Sequence, residues 1–171
     1  MTRSGTPALR LQPAPPAEEG PRHYALMVCS SGGHLAQLVA LRPWWSTCRT
    51  RWVTFPTADA DSLLAGEDVV AAAYPTTRNL KNLVCNAVLA LRLLLRERPD
   101  VIVSTGAGVA VPFFVLGKLL GIPTVYLEVF DRIDSATLTG RLCRPFADRM
   151  LVQWDEQAPL YRRTTVVGPV L

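Results

Sequence analysis

The chain has 171 residues, 49% of them apolar and only 19% charged, which suits one domain with a substantial core and excludes a chain disordered throughout. Its 18 Lys and Arg against 14 Asp and Glu give a formal charge of +4, and the basic residues are scattered instead of gathered into a nucleic-acid-binding arm. An anionic membrane surface or a phosphorylated substrate remains compatible with that charge.

Residues 1–22 contain Pro7, Pro13, Pro15, Pro16 and Pro21 and no continuous apolar stretch, so they read as a flexible tail, neither signal peptide nor membrane anchor, ahead of one domain over residues 23–171. Tyr24–Ser30 is then a near-continuous apolar strand, followed by the small-residue turn Ser31-Gly32-Gly33 and a helix from His34 to about Leu41. A second strand, Arg51–Phe55, leads to a short helix at Asp59–Leu64, closed by Gly66, and to a third strand at Val69–Tyr74. Asn79 is placed to cap a long helix running to Arg98 and stopped by Pro99. Val101–Thr105 forms the next strand, Gly106-Ala107-Gly108 a turn, and Val109–Leu120 a helix ended by Gly121 and Pro123. Thr124–Val129 is a strand, Asp131–Ser135 a loop, Ala136–Pro145 partly helical, Arg149–Trp154 a strand, Glu156–Tyr161 a short helix and Thr164–Val167 a final strand. Buried strands alternating with helices predict an α/β fold, a doubly wound, mostly parallel Rossmann-like sheet.

The cysteines Cys29, Cys48, Cys85 and Cys143 are widely spaced, without a zinc pattern, as expected of reduced thiols in a cytosolic compartment. Val109–Leu120 is too short for the roughly 20 residues that span a bilayer. The helix after Asn79 carries Leu80, Leu83, Val84, Ala87, Val88, Leu91, Leu94 and Leu95 beside Lys81, Arg92, Arg96 and Arg98. That stripe suits either packing on the sheet or lying on a membrane surface.

In a doubly wound sheet ligands collect at the carboxyl ends of the strands, here Ser30–His34, Thr105–Gly108 and Glu128–Ser135. Ser30, Ser31, Gly32 and Gly33 precede a helix N-terminus, so their backbone N–H groups could cradle a diphosphate or simply close a tight turn. Thr105, Gly106 and Gly108 repeat that arrangement. His34 could take a proton, bond a phosphate or serve structurally. Glu128 ends an apolar strand, where it could orient a sugar hydroxyl, act as a base, or bond loop amides. Asp131, Arg132 and Asp134 read as solvated loop charges. Neither GxGxxG nor a Walker lysine follows the first strand, and the second strand ends Phe55-Pro56-Thr57 without a ribose-binding acid, which disfavours a dinucleotide oxidoreductase.

Cys29-Ser-Ser-Gly-Gly-His-Leu35, Ser104–Gly108 with Pro112, Ile122–Glu128, Leu138-Thr-Gly-Arg-Leu142 and Pro145–Trp154 together resemble the amino-terminal half of a GT-B glycosyltransferase. The resemblance, covering Tyr24 to the end, is to the asparagine-linked glycosylation protein fourteen and PssD-type subunits, and also to the acceptor-binding half of MurG. It implies the acceptor-binding, membrane-associated subunit of a two-component UDP-sugar glycosyltransferase, extending a polyprenyl-diphosphate-linked saccharide in exopolysaccharide or related glycan synthesis. The implied partner is a donor-binding subunit similar to asparagine-linked glycosylation protein thirteen or PssE, which would hold most of the UDP-sugar. This chain would bind no cofactor, metal or nucleic acid of its own and would sit peripherally on the cytoplasmic membrane face. His34 and Glu128 match the family's GGH histidine and the glutamate after the fifth strand and are the implied catalytic candidates; the glycine turns are the implied diphosphate holders. The rival expectation is a non-catalytic module that recruits a donor-binding enzyme to the membrane.

Overall fold

The structure is a computed structural model and describes residues 23–77 and 79–171; the tail expected over 1–22 lies outside the described residues. Seven strands form one parallel sheet in the order β3-β2-β1-β4-β5-β6-β7. They are β1 (Tyr24–Val28), β2 (Arg49–Thr54), β3 (Val69–Ala71), β4 (Val101–Ser104), β5 (Thr124–Leu127), β6 (Arg149–Val152) and β7 (Thr164–Val166). Between them lie α1 (Gly33–Ala40), α2 (Arg42–Trp45), α3 (Ala58–Leu63), α4 (Leu80–Glu97), α5 (Ala110–Leu119) and α6 (Leu138–Cys143), with short 3-10 turns at Arg144–Phe146 and Asp155–Leu160.

The period of two along a strand divides the core between the two faces. Leu26 and Val28 of β1 join Val53, Ile102, Phe113, Phe114, Tyr126 and Val152 on one face, whereas Ala25 and Met27, followed by Cys29, join Leu35, Leu38, Trp45 and Trp52 on the other. The chain order reverses between β1 and β4, so the carboxyl ends of these two strands flank the crevice where ligands of such sheets bind.

The element order matches the sequence reading, with two local differences. Helix α2 occupies a stretch left unassigned, with Pro43 in its first turn, where a missing N–H costs nothing, and β2 therefore begins at Arg49. Strand β3 ends at Ala71; Ala72 N still donates to Thr54 O of β2 at 2.8 Å, and the backbone then turns to α4, where Asn86, fully buried, accepts from Ala73 N at 2.8 Å and donates to Ala73 O at 2.9 Å.

That asparagine also decides how α4 is turned. Asn86, Ala90 and Leu94 face the core, while Leu80, Val84, Val88, Leu91 and Leu95, at i, i+4, i+8, i+11 and i+15, remain exposed, Leu80 at 74% and Leu95 at 63%. At the far end Glu97, held by Tyr24 Oη and Arg51, keeps the same rotation. Of the two settings for the stripe, most of its leucines and valines lie outward, flanked by Lys81, Arg92 and Arg96. Among the described residues no helix is long and apolar enough to cross a membrane.

Candidate functional site

The turns after β1 and β4 are joined by a reciprocal pair of bonds. His34 Nδ1 donates to Thr105 O at 2.8 Å, and Thr105 Oγ1 donates to His34 O at 2.7 Å. A carbonyl only accepts, so Nδ1 carries a hydrogen; the neutral tautomer with this bond has its lone pair at Nε2, which has no partner among the described residues. Gly106, at φ +112°, lets the turn pass close to this ring: a Cβ there would lie 3.3 Å from His34 Cε1 and 2.5 Å from Tyr126 Oη. Ser104 Oγ holds the Gly106 N–H at 2.9 Å.

His34 opens onto a groove of about 850 Å³, lined also by Thr76, Thr77, Asn79, Gly108 and Thr139 and by the apolar Leu80, Leu83, Ala107, Val111, Leu138 and Leu142. Gly108 packs closely on Thr76: a Cβ would lie 3.0 Å from Thr76 Cβ and 3.1 Å from its Oγ1, so that side chain would have to shift by a few tenths of an ångström. The loop carrying Thr76 is itself fastened to α4, where Asn82 Nδ2 donates to Pro75 O at 2.8 Å and Asn79 Oδ1 caps the helix at Asn82 N.

Only His34 and Gly108 of the sequence-derived candidates line this groove. The Gly32 N–H is bonded to Asp59 Oδ2 at 2.7 Å, and bonds from the Thr57 side chain and this N–H lower the Asp59 pKa. A carboxylate therefore already occupies one donor of the Ser30–Gly33 turn, and its charge opposes a second anion there. Ser30 turns its hydroxyl to Ser31 O at 3.2 Å. Thr105 and Gly106 are buried beneath His34 and shape the turn.

Glu128 is fully buried. Its carboxylate accepts from Val129 N at 3.0 Å, from Thr137 Oγ1 at 3.0 and 3.1 Å, and from Tyr161 Oη. Burial, then the bond to Glu128, raises the Tyr161 pKa; burial, then the Glu128 charge, does the same for Tyr126, so both phenols stay neutral donors. Thr137 caps α6 by accepting from Gly140 N at 2.9 Å, and a Cβ on Gly140 would meet Glu128 Oε2 at 2.6 Å. Of the roles open to Glu128, the one the geometry displays is bonding the loop and cap that seat α6, and with it Leu138 and Leu142 of the groove wall.

The sequence reading missed Thr137, Gly140 and Tyr161 as partners of Glu128. It also missed a buried amide network in which Gln37 Oε1 accepts from Phe130 N at 3.0 Å and from Gln153 Nε2 at 2.7 Å. The available signal was Gln37 itself, a polar residue three positions after His34 on the helix face that packs inward.

Residues 69–170 match the family described as "Oligosaccharide biosynthesis protein Alg14 like". The chain belongs to this family. It is 43% identical over 77 residues to UDP-N-acetylglucosamine transferase subunit alg14 of Schizosaccharomyces pombe, covering 42% of this chain and 37% of that protein. It is 26% identical over 183 aligned positions to subunit ALG14 of Eremothecium gossypii, covering 89% and 82%. It is also 42% identical over 86 residues to the UDP-N-acetylglucosamine–N-acetylmuramyl-(pentapeptide) pyrophosphoryl-undecaprenol N-acetylglucosamine transferase of Tolumonas auensis, covering 50% of this chain and 23% of that enzyme. The chain thus spans well under half the length of two of these three relatives. MurG of Acinetobacter baumannii shares the fold at a TM-score of 0.69 and 19% identity, over 86% of this chain and 46% of that one. The UDP-GlcNAc 2-epimerase of Neisseria meningitidis shares it too, at a TM-score of 0.64 and 12% identity, over 80% and 42%. Glycosyltransferase and epimerase have this sheet in common, so the architecture alone names no reaction.

Proposed function

We propose that this chain is the acceptor-binding, membrane-associated subunit of a two-component UDP-sugar glycosyltransferase that extends a polyprenyl-diphosphate-linked saccharide. Membership of the Alg14-like family supports the reading, and the observation that carries it is His34, whose Nε2 has no partner among the described residues, on a groove lined by both polar and apolar side chains. Relatives named as UDP-N-acetylglucosamine transferase subunits make UDP-N-acetylglucosamine the first donor to test. The donor is held mainly by a partner subunit similar to asparagine-linked glycosylation protein thirteen or PssE, and the pair works at the cytoplasmic membrane face in exopolysaccharide or related glycan assembly.

His34 is the base in this reading. As the acceptor hydroxyl oxygen bonds to the anomeric carbon, its proton passes to Nε2; the bond from that carbon to the diphosphate oxygen breaks, its electron pair leaves with UDP, and the configuration inverts. The Thr105 carbonyl holds the ring in the required tautomer and stabilises the imidazolium that forms. Glu128 acts as a positioning residue through α6. The outward leucines and valines of α4 rest in the interface with Lys81, Arg92 and Arg96 toward anionic headgroups.

The test is transfer of radiolabelled sugar from UDP-N-acetylglucosamine and other UDP-sugars to a polyprenyl-diphosphate-saccharide in vesicles, with this chain alone and with its partner. Activity only in the pair, lost by about 10²-fold or more in His34→Ala with folding intact, supports the reading. Activity of the chain alone refutes the two-component arrangement. Full activity of His34→Ala in the pair refutes a catalytic role and leaves the recruitment module, which the outward apolar face of α4 also suits.

A further inference from the structure

We propose that the groove below His34 is a slot for the isoprenoid segment next to the acceptor diphosphate, and that the chain enters it sideways from the bilayer between the start of α4 and α6. This inference rests on the glycosyltransferase reading and adds where the lipid runs and which residues read it.

Three observations carry it. The lining combines two kinds of surface: His34, Thr76 and Gly108 come from the loops that follow β1, β3 and β4, with Gly108 against Thr76, while apolar walls come from Leu80 and Leu83 of α4, Val111 of α5, and Leu138 and Leu142 of α6. Among the described residues no carboxylate lines it. Its volume, about 850 Å³, is within the roughly 300–1,000 Å³ of sites that enclose a small ligand. Second, the walls are open to the outside: Leu80 and Leu138 are 74% and 73% exposed, and Leu142 is 48% exposed, an apolar rim on two separate helices. Third, Leu80 begins the outward stripe of Val84, Val88, Leu91 and Leu95, so apolar surface continues from the groove along α4 without a charged break.

The rotation of α4 joins these observations. Asn82 and Asn86 fasten the Ala73–Pro75 backbone to α4, which brings Thr76 to the groove and turns the leucines outward in the same stroke. Lys81, Arg92 and Arg96 flank the stripe, Arg141 stands beside Leu142, and the single acid of α4, Glu97, is paired with Arg51. With α4 resting on an anionic bilayer, the rim formed by Leu80, Leu138 and Leu142 opens at the depth of the acyl chains. A prenyl chain then passes from lipid to groove without crossing water. The diphosphate remains beside His34.

The experiment uses the full chain and a fluorescent geranylgeranyl diphosphate, with binding followed by anisotropy and challenged by unlabelled farnesyl diphosphate, inorganic diphosphate or a short-chain phosphatidic acid. Farnesyl diphosphate should compete at least tenfold better than the other two. Leu83→Asn and Leu142→Asn should each weaken the probe by about tenfold, the loss expected when a branched side chain no longer covers a chain segment. Leu95→Asn, on the stripe but away from the groove, should leave probe affinity unchanged and lower only vesicle binding. Far-ultraviolet circular dichroism and urea midpoints establish that each variant is folded, and the exposed Leu138→Asn supplies a third variant that does not disturb the core. Equal competition by inorganic diphosphate or phosphatidic acid overturns the slot, as does wild-type affinity in all three groove variants. Sugar transfer by the reconstituted pair is read separately: specific probe binding without any transfer leaves the slot and removes the glycosyltransferase reading, whereas transfer indifferent to the groove variants does the reverse.

Discussion

Gly140→Ala tests whether the buried Glu128 cluster seats α6. A Cβ at this position would meet Glu128 Oε2 at 2.6 Å, Thr137 Oγ1 at 2.9 Å and Tyr161 Oη more closely still. None of the three can swing away cheaply, because Glu128 is held by Val129 N, Thr137 both caps α6 and bonds Glu128, and Tyr161 donates to Glu128. Overpacking of this kind costs about 1–3 kcal/mol, and the loss of one hydrogen bond to a charged group adds about 1.5–3 kcal/mol. The expected destabilisation is therefore about 2.5–6 kcal/mol, a fall of roughly 1.2–3 M in the urea midpoint at a slope near 2 kcal/mol/M. Gly33→Ala is the matched control: nothing lies within 4 Å of its Cβ position, and it begins α1. It should be neutral or stabilising by about 0.4–1 kcal/mol. A Gly140→Ala midpoint within experimental error of wild type would refute the packing argument, and with it the placement of Leu138 and Leu142 by Glu128.

Three further outcomes are expected. Asn86→Leu leaves Ala73 N and O without their side-chain partners, so it should cost about 2–4 kcal/mol by urea unfolding and speed amide exchange at Ala73, although it makes the helix more apolar. Burial pushes the Cys29 and Cys143 thiols up to about 12, so at neutral pH a maleimide should label exposed Cys85 first and reach Cys29 and Cys143 only on unfolding; anionic vesicles that cover α4 should slow labelling of Cys85. At Asp148, burial works against ionisation but is outweighed by the Lys118 ammonium and the Thr124 bonds, so its folded pKa is lowered. Its stabilising contribution is complete above the unfolded aspartate value, near 3.9, and fades as pH falls through the lower folded value. Asp148→Asn should accordingly be less stable than wild type at pH 7, with the difference shrinking in the acid limb; a gap that does not shrink would contradict the assignment.

Much of the architecture was legible from residue order. The apolar runs at β1, β4 and β5 are strands buried on both faces, and the Gly-rich turns and Asn79 mark where helices begin, because these are local consequences of periodicity and backbone freedom. His34 and Glu128 were visible as chemically unusual residues at strand ends, but their separate circumstances were not. His34 meets Thr105 from 71 positions away and has no partner for its other nitrogen among the described residues, while Glu128 is enclosed by Thr137 and Tyr161. Ser30–Gly33 reads as an anion cradle until Asp59, 27 positions from Gly32, is seen to fill one of its donors.

The same division governs α4. By itself the sequence determined a long amphipathic helix with leucines and arginines at helical spacing, since 3.6 residues per turn suffices to place them. Which face meets the sheet was decided only by tertiary structure. The bonds of Asn86 to Ala73 and of Glu97 to Arg51 and Tyr24 satisfy polar groups that could not be buried alone, and in doing so they turn the leucines outward, toward the groove mouth and away from the core.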